Sequence, residues 1–406
     1  MAQPLVFGID VGTTKVVALS GRVDLRRDSV EVVSYGEAPS RGLKRGVIVD
    51  RKLAADSVSR AIEASGQRFS SAVVGIAGGH VSSQNTEVTL LNRGRRPEVG
   101  SRLLARLETE AASAEPGGGD RVLQVIPRTY VLDETDGVRN PLGLSARKIT
   151  MRAHVVSGSV SSIQNLVRAV EDCGVRATDI VLEPIASAES CLTGRDRERG
   201  TVLLDIGGGT TDLAVFVDNA LVHTAVIPIG GESLTADVAY GLKVPFEDAE
   251  RLKVRYGTVI SRAVDSVAAV RLGDRHYNAS FIAQILEYRA REILEYARDS
   301  LTESGVYDRI AGDVVLTGGG SRLDGMIELT EEMLGLRTRV VSPTLHRTKS
   351  KPLQQPEYST AVGLLYFAAR NNNRIAKGKG ASVLSFGSIV ELVSGWFRSG
   401  GANSSR

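Results

Sequence analysis

The sequence predicts a mixed α/β fold built from two related halves, and three observations carry that expectation. The first is a repeated unit. Leu5–Asp10 (LVFGID) is a short apolar run that passes through Val11-Gly12-Thr13-Thr14 into Lys15–Leu19 (KVVAL). About 195 residues later, Thr201–Ile206 (TVLLDI) passes through Gly207-Gly208-Gly209-Thr210-Thr211 into Asp212–Val217 (DLAVFV). β-Branched runs on either side of glycine and threonine read as strand, turn, strand. Chance likeness of two short hairpins is the other reading of the repeat. The second observation is apolar spacing at three- and four-residue steps over Leu53–Ala64, Ser161–Cys173 and Phe281–Leu301, which predicts helices. The third is the run Val314–Leu316, a brief strand ending at Thr317-Gly318-Gly319-Gly320 before a helix over Leu323–Leu334. Strands interleaved with helices make an α/β architecture.

Composition narrows the class. The chain has 406 residues, 42% hydrophobic and 24% charged, the balance of an ordinary globular protein of two to three domains. Lys and Arg number 50 against 47 Asp and Glu, a formal charge of +3. A dedicated nucleic-acid binder would carry a basic stripe and a larger excess, so no nucleic-acid partner is expected. No apolar run approaches the ~18 residues of a membrane-spanning helix, and Met1–Asp10 lacks the pattern of a secretory leader. Cys173 and Cys191 read as reduced core thiols of a cytosolic protein. Five scattered histidines give no zinc pattern. Ala111–Asp120 (AASAEPGGGD) reads as a loop inside a small intervening unit. Asn371–Gly380 (NNNRIAKGKG) reads as a flexible linker.

The octet Asp205–Asp212 (DIGGGTTD) is the most informative in the chain. Gly207, Gly208 and Gly209 let backbone N–H groups approach a phosphate and form an anion nest, and the hydroxyls of Thr210 and Thr211 add donors. An aspartate at the end of the preceding strand is placed to hold hydrated magnesium or orient a water. Asp10 with Gly12, Thr13 and Thr14 repeats that chemistry. A plain glycine hairpin is the competing reading. The chain has no GxxxxGK[ST] sequence, which excludes a P-loop. Its glycines lead into strands, which disfavours a Rossmann site. Gly318, Gly319, Gly320 and Ser321 follow a strand and precede a helix, so they offer helix N-terminal N–H groups to a nucleoside or serve as a structural turn.

These residues resemble the superfamily of actin, sugar kinases and heat-shock chaperone ATPases. Asp10–Lys15 and Asp205–Asp212 look like its two phosphate turns and Gly318–Gly320 like its adenosine turn. Val181–Ser190 (VLEPIASAES) and Glu357–Ala368 (EYSTAVGLLYFA) look like its two linking helices. The likeness sharpens to the FtsA family of bacterial cell-division proteins through GLKRGV (Gly42–Val47), VIPRTYVLD and NPLGL within Val122–Leu144, Ile229-Gly230-Gly231 followed by Leu234–Asp237, Ala249–Lys253 and VVLTGGGSRLDGM. Gln124 and Arg128 stand where the family more often has His and Gln, and a glycine expected after Gln84 is missing. All lie in the intervening unit, so they are expected to bear on partner contacts and to leave the nucleotide site untouched.

The resemblance implies an actin-like two-domain ATPase fold with hairpin-led halves and an inserted subdomain. It divides the chain into a first core subdomain (1–83, 158–194 and 356–370), an inserted subdomain (84–157), a second core subdomain (195–226 and 310–355), a helical and β subdomain (227–309), the linker (371–380) and a membrane-targeting helix (381–398). It implies ATP and Mg as cofactors, with Asp10 and Asp205 around the metal and Glu183 near the attacking water. Gly12, Thr13, Thr14, Lys15, Gly207, Gly208, Gly209, Thr210, Thr211 and Gly231 would line the phosphates, and Glu250 and Lys253 would reach the ribose or base. Read without the family, Glu250 and Lys253 also fit a helix-surface pair and Glu183 a loop residue before Pro184.

The tail supplies an independent signal. At ~100° per residue, Phe386, Ile389, Val390, Leu392, Val393, Trp396 and Phe397 fall on one half of a helix, with Val383 at its margin. Gly387, Ser388, Glu391, Ser394, Gly395 and Arg398 fall on the other, and Leu384 is an exception among them. Such a helix lies in a membrane interface and is too short to span; a terminal helix docked on its own core is the alternative. Arg374, Lys377 and Lys379 precede it, suited to anionic lipid. The function expected is an ATP-binding protein that polymerises on the cytoplasmic face of the cell membrane at the division site. It would tether FtsZ, receive other division proteins through the inserted subdomain, and hydrolyse ATP slowly or incidentally. A cytoplasmic scaffold like PilM, an FtsA relative, and a small-molecule kinase of the same fold are the alternatives.

Overall fold

The computed structural model describes residues 4–26, 29–94, 97–113, 119–345 and 351–376. The expected membrane-targeting helix, with Phe386, Ile389, Val390, Leu392, Val393, Trp396 and Phe397, lies outside the described residues. Among them, no helix is long and apolar enough to cross a membrane.

The repeat read from the sequence is a repeat of whole sheets. In the first, the strand order is Arg176–Leu182, Ser71–Ile76, Leu5–Val11, Lys15–Asp24 and Ser29–Pro39; in the second it is Thr338–Val340, Val314–Thr317, Thr201–Ile206, Thr211–Val217 and Ala220–Ile227. Each runs as three parallel strands continued by two antiparallel ones. The central strands Thr201–Ile206 and Thr211–Val217 are buried at every position, which is why they read as unbroken apolar runs without alternation. Equivalent connections follow equivalent strands: Ser71–Ile76 runs into Ala77-Gly78-Gly79 just as Val314–Thr317 runs into Gly318-Gly319-Gly320.

Two helices join the halves. Glu183–Cys191 follows the outer strand of the first sheet, and Ser359–Ala376 crosses it so closely that a Cβ on Gly363 would strike the backbone of Ala186. The first apolar core gathers Ile9, Leu19, Ile163, Leu364 and Leu365, and the second gathers Ile206, Leu213, Leu286 and Ile293. The inserted unit has its own sheet, in the order Val81–Leu91, Lys148–Ser159, Asp120–Leu132, Thr135–Val138, and its own core around Leu107, Ile149 and Met151. Its first strand starts three residues before the expected boundary at 84. Helices Gly231–Leu242, Phe246–Tyr256 and Ala279–Glu303 form the unit beside the second sheet.

Three local expectations are corrected. The helix expected from Leu323 starts at Met326, after a 3-10 turn over Gly319–Arg322; Gly325, at φ +80°, separates the two. The first six residues of the expected linker, 371–376, are helical, because buried Asn371 donates its amide to the Asp179 carboxylate at 2.9 Å and anchors that turn. The expected loop over 111–120 is helical through Ser113. Cys173 is half-buried and Cys191 buried, both as free thiols.

Candidate nucleotide site

Asp10 ends the first strand of its hairpin and Asp205 the first strand of the other. The two turns face each other: a Cβ on Gly208 would run into Thr14 and one on Gly209 into Thr13, so only glycine allows this approach. In the second hairpin the Gly207 N–H closes the turn on the Thr210 carbonyl at 2.9 Å. The hydroxyls of Thr210 and Thr211, expected as ligand donors, are buried and turned inward. Thr210 donates to Asp212 Oδ2 at 2.8 Å and Thr211 to the Ile229 carbonyl at 2.9 Å.

Four carboxylates gather where the halves meet. Asp212 lies directly across the hairpin from Asp205. Burial, then the Asp205 charge opposite, pushes the Asp212 carboxyl well above the ordinary range. Its Oδ1 is buried without a hydrogen-bond partner among the described residues. Asp10 is raised to about 7, by burial first and then by Asp205, against the pull of Lys15. Glu183 is raised well above its usual value by burial and by Asp10, Asp212 and Asp205. Asp205 is also raised by burial, but Ser187 Oγ and Thr360 Oγ1 (3.0 Å) both donate to its Oδ2 and favour the ionised form. Ser187 and Thr360 belong to the two linking helices, so the crossing of those helices braces the acid.

Buried carboxylates that raise one another's pKa are relieved either by taking up protons or by a nearby cation. No three His, Cys, Asp or Glu side chains among the described residues stand close enough to hold a metal directly. Magnesium keeps several of its waters and needs only one or two carboxylates with phosphate oxygens, so the donor set fits a hydrated Mg²⁺.

The other predicted residues converge on the same place in distinct ways. Gly318, at φ +79°, abuts Asp205; a Cβ there would strike Oδ1. Ser321 is buried and its hydroxyl braces that turn by donating to the Gly318 carbonyl at 2.7 Å. Gly319 and Gly320 open the 3-10 turn beside Glu357 and Ile206. Gly231 N–H donates to the Gly207 carbonyl at 2.9 Å and Glu232 N–H to that of Gly208 at 2.8 Å, so the start of helix Gly231–Leu242 caps the second glycine turn. Lys253 Nζ in turn donates to the Gly231 carbonyl (3.0 Å) and Thr235 Oγ1 (2.8 Å) and pairs with Glu250 at 2.7 Å. Only 13% of the Lys253 side chain is exposed and it is tied to the turn, while its i,i+3 partner Glu250 is 42% exposed. Glu183 is the first residue of its helix, not a loop residue. Lys15 is drawn aside: its Nζ lies 3.3 Å from the centroid of the Tyr358 ring and 3.9 Å from Glu37, on which the Tyr358 hydroxyl also converges.

Sequence reasoning missed Ser187, Thr360 and Tyr358, although all sit inside the two linking stretches it singled out. It also set Gln124 apart from the nucleotide site. Gln124 is buried, and its Oε1 accepts the N–H of Leu182 at 3.2 Å, one residue before Glu183. The inserted unit therefore touches the floor of the site.

Comparison with known proteins agrees with this architecture. The family profile described as Cell division protein FtsA matches residues 202–363, and the SHS2 domain inserted in FTSA matches residues 78–157. A cell division protein FtsA of Pseudomonas aeruginosa is 38% identical over 91% of this chain and 90% of its own length. That of Escherichia coli K12 is 32% identical over 98% of both. Among solved structures, the PilM-PilN type IV pilus biogenesis complex aligns with a TM-score of 0.67 at 17% identity, covering 90% of this chain and 98% of that one. MreB5 of Spiroplasma citri bound to AMPPNP aligns at 0.54 and 13%, covering 92% and 98%. At such identities the structural likeness speaks for an actin-like ATPase fold alone.

Proposed function

The chain belongs to the FtsA family of cell-division proteins, and from that premise we propose that it binds Mg-ATP between its halves, polymerises on the cytoplasmic face of the cell membrane and tethers FtsZ at the division site. The observation that carries the nucleotide part is the pair of facing hairpins over four buried acids. In this reading Asp10 and Asp205 would hold a magnesium ion through its waters. Glu183, rigidly placed at a helix start, orients a water toward the terminal phosphate. Magnesium would supply the charge that neutralises the acids and the phosphates. Gly208 and Gly209 allow the close approach of the two turns, Gly12, Thr13, Thr14 and Gly207 would line the phosphates, and Gly231 with Lys253 and its partner Glu250 holds the second turn from behind. Gly318–Gly320 would flank the nucleoside. Hydrolysis is slow or incidental, because closure of the halves is what permits polymer contacts.

The apolar face of the segment 381–398 would rest in anionic lipid. For FtsZ, the unit spanning 227–309 is favoured: its helices leave Tyr240 87% and Tyr288 76% exposed, alongside Phe246, Phe281 and Tyr296, and aromatic side chains anchor protein interfaces. Other division proteins would meet the inserted unit. Co-sedimentation with liposomes and FtsZ, with and without Mg-ATP, tests the whole reading. The full chain should bring FtsZ down with the lipid, and a chain ending at Gly380 should leave it in the supernatant. Equal recovery of FtsZ by both would overturn the tether through the tail, whereas FtsZ left in the supernatant by both would favour a scaffold of the PilM kind.

A further inference from the structure

The GLKRGV stretch, singled out in the sequence and given no role above, forms a small hairpin whose tip reaches both phosphate turns. Leu43 pairs with Ile48 and Lys44 with Val47, leaving Arg45-Gly46 as a two-residue turn. Both have positive φ, +50° for Arg45 and +75° for Gly46, the signature of a type I′ turn. Its first position favours Asn, Asp or Gly; an arginine there holds a left-handed backbone that its Cβ resists. Gly42, at φ +77°, anchors the hairpin by accepting the N–H groups of Val49 and Asp50 at 2.8 and 3.0 Å.

The tip is wedged between the halves. Gly46 N–H donates to Thr13 Oγ1 of the first phosphate turn at 3.0 Å. The Arg45 Cα lies 2.9 Å from where a Cβ on Gly209 of the second would stand, and the Arg45 carbonyl 3.3 Å from the equivalent position on Gly78. Arg45 itself is exposed, and among the described residues its guanidinium has no hydrogen-bond or ion-pair partner. A strained, unpaired arginine rooted against two anion-binding turns is placed to bind phosphate through a forked, charge-assisted contact.

We propose that Arg45 is a phosphate ligand that reads the terminal phosphate of a nucleoside triphosphate, from a turn touching both sides of the cleft. This deepens the reading that the cleft binds Mg-ATP and rests on it. The test uses the full chain with Arg45→Asn, which suits the turn's backbone, and Arg45→Lys, which keeps the charge without the fork. Affinities for Mg-ATP and Mg-ADP are measured by competition against a fluorescent nucleotide, together with the melting temperature of the nucleotide-free protein.

Loss of a hydrogen-bonded charged group should weaken ATP binding about tenfold or more in Arg45→Asn, with ADP binding changed less than about threefold. Arg45→Lys should fall between, and the nucleotide-free melting temperature of Arg45→Asn should hold or rise as backbone strain is relieved. If wild type binds both nucleotides and Arg45→Asn keeps the same ATP-to-ADP preference, the proposal is overturned and the cleft reading stays intact. Equal loss of both nucleotides with a lowered melting temperature would also overturn it, marking the turn as structural. If the wild-type chain binds neither nucleotide, the proposal and the reading beneath it fall together.

Discussion

The two glycine hairpins share a plan and differ in chemistry. Opposite Asp10 in the first hairpin stands Val17; opposite Asp205 in the second stands another acid, Asp212. Asp205 receives two hydroxyl hydrogen bonds from the linking helices, whereas Asp10 has the partial charge balance of Lys15 and is lifted to about 7. The second turn is also the tighter one. A Cβ on Gly12 would come to 3.0 Å of the Lys15 carbonyl within its own hairpin, while one on Gly208 or Gly209 would collide with the opposite half. Duplication supplies the scaffold, and the hydroxyls of the linking helices oppose the rise that burial gives Asp205, a brake that Asp10 lacks.

The comparison gives ordered expectations. The largest is Gly209→Val, which should weaken Mg-ATP binding by up to about a hundredfold, since overpacking costs about 1–3 kcal/mol. Gly12→Ala should cost about tenfold or less by the same measurement, and equal losses would show the two turns to be equivalent after all. Next, the double variant Ser187→Ala/Thr360→Ala should weaken magnesium-dependent binding about tenfold, from two lost hydrogen bonds to a charged acceptor. Magnesium titrations of the bound state would show it, and no change would break the claim that the linking helices tune Asp205.

A pH effect follows from Asp10. A carboxyl raised to about 7 binds its proton more tightly folded than unfolded, so the stability it contributes is present at acid pH and lost as pH rises from about 4 through 7. His154 acts in the opposite sense. It is buried between Asn85 and Thr224 and pushed down to about 3, so its contribution is present above 6.5 and lost as pH falls from 6.5 through about 3. Melting of nucleotide-free wild type against Asp10→Asn separates the two: the variant should gain stability relative to wild type between pH 5 and 8. A constant difference would show that Asp10 does not titrate there. The smallest effect is that of Gln124→Ala, about 1 kcal/mol in denaturant unfolding from one lost buried hydrogen bond, alongside a modest fall in ATP affinity through Glu183.

Much of this was legible in the chain. Hairpins declare themselves locally, through β-branched runs broken by Gly-Gly-Gly-Thr-Thr, and the strands Thr201–Ile206 and Thr211–Val217 lie within a residue of their expected places. What stayed hidden was tertiary. Ser187 and Thr360 are 173 residues apart, and their joint hold on the Asp205 carboxylate exists only because two helices cross at Gly363. Asn371 looks like linker chemistry until Asp179 buries with it. Gln124 looked like a partner-facing residue because nothing local reveals that its strand leans on Leu182.

Calorimetric titration of the full chain with ATP, in magnesium and again in EDTA, tests the paired-hairpin site most directly. One saturable site per chain that weakens sharply without magnesium, and is lost in Gly209→Val, is the expected result. The absence of saturable binding in wild type, or binding indifferent to both magnesium and Gly209→Val, would contradict it.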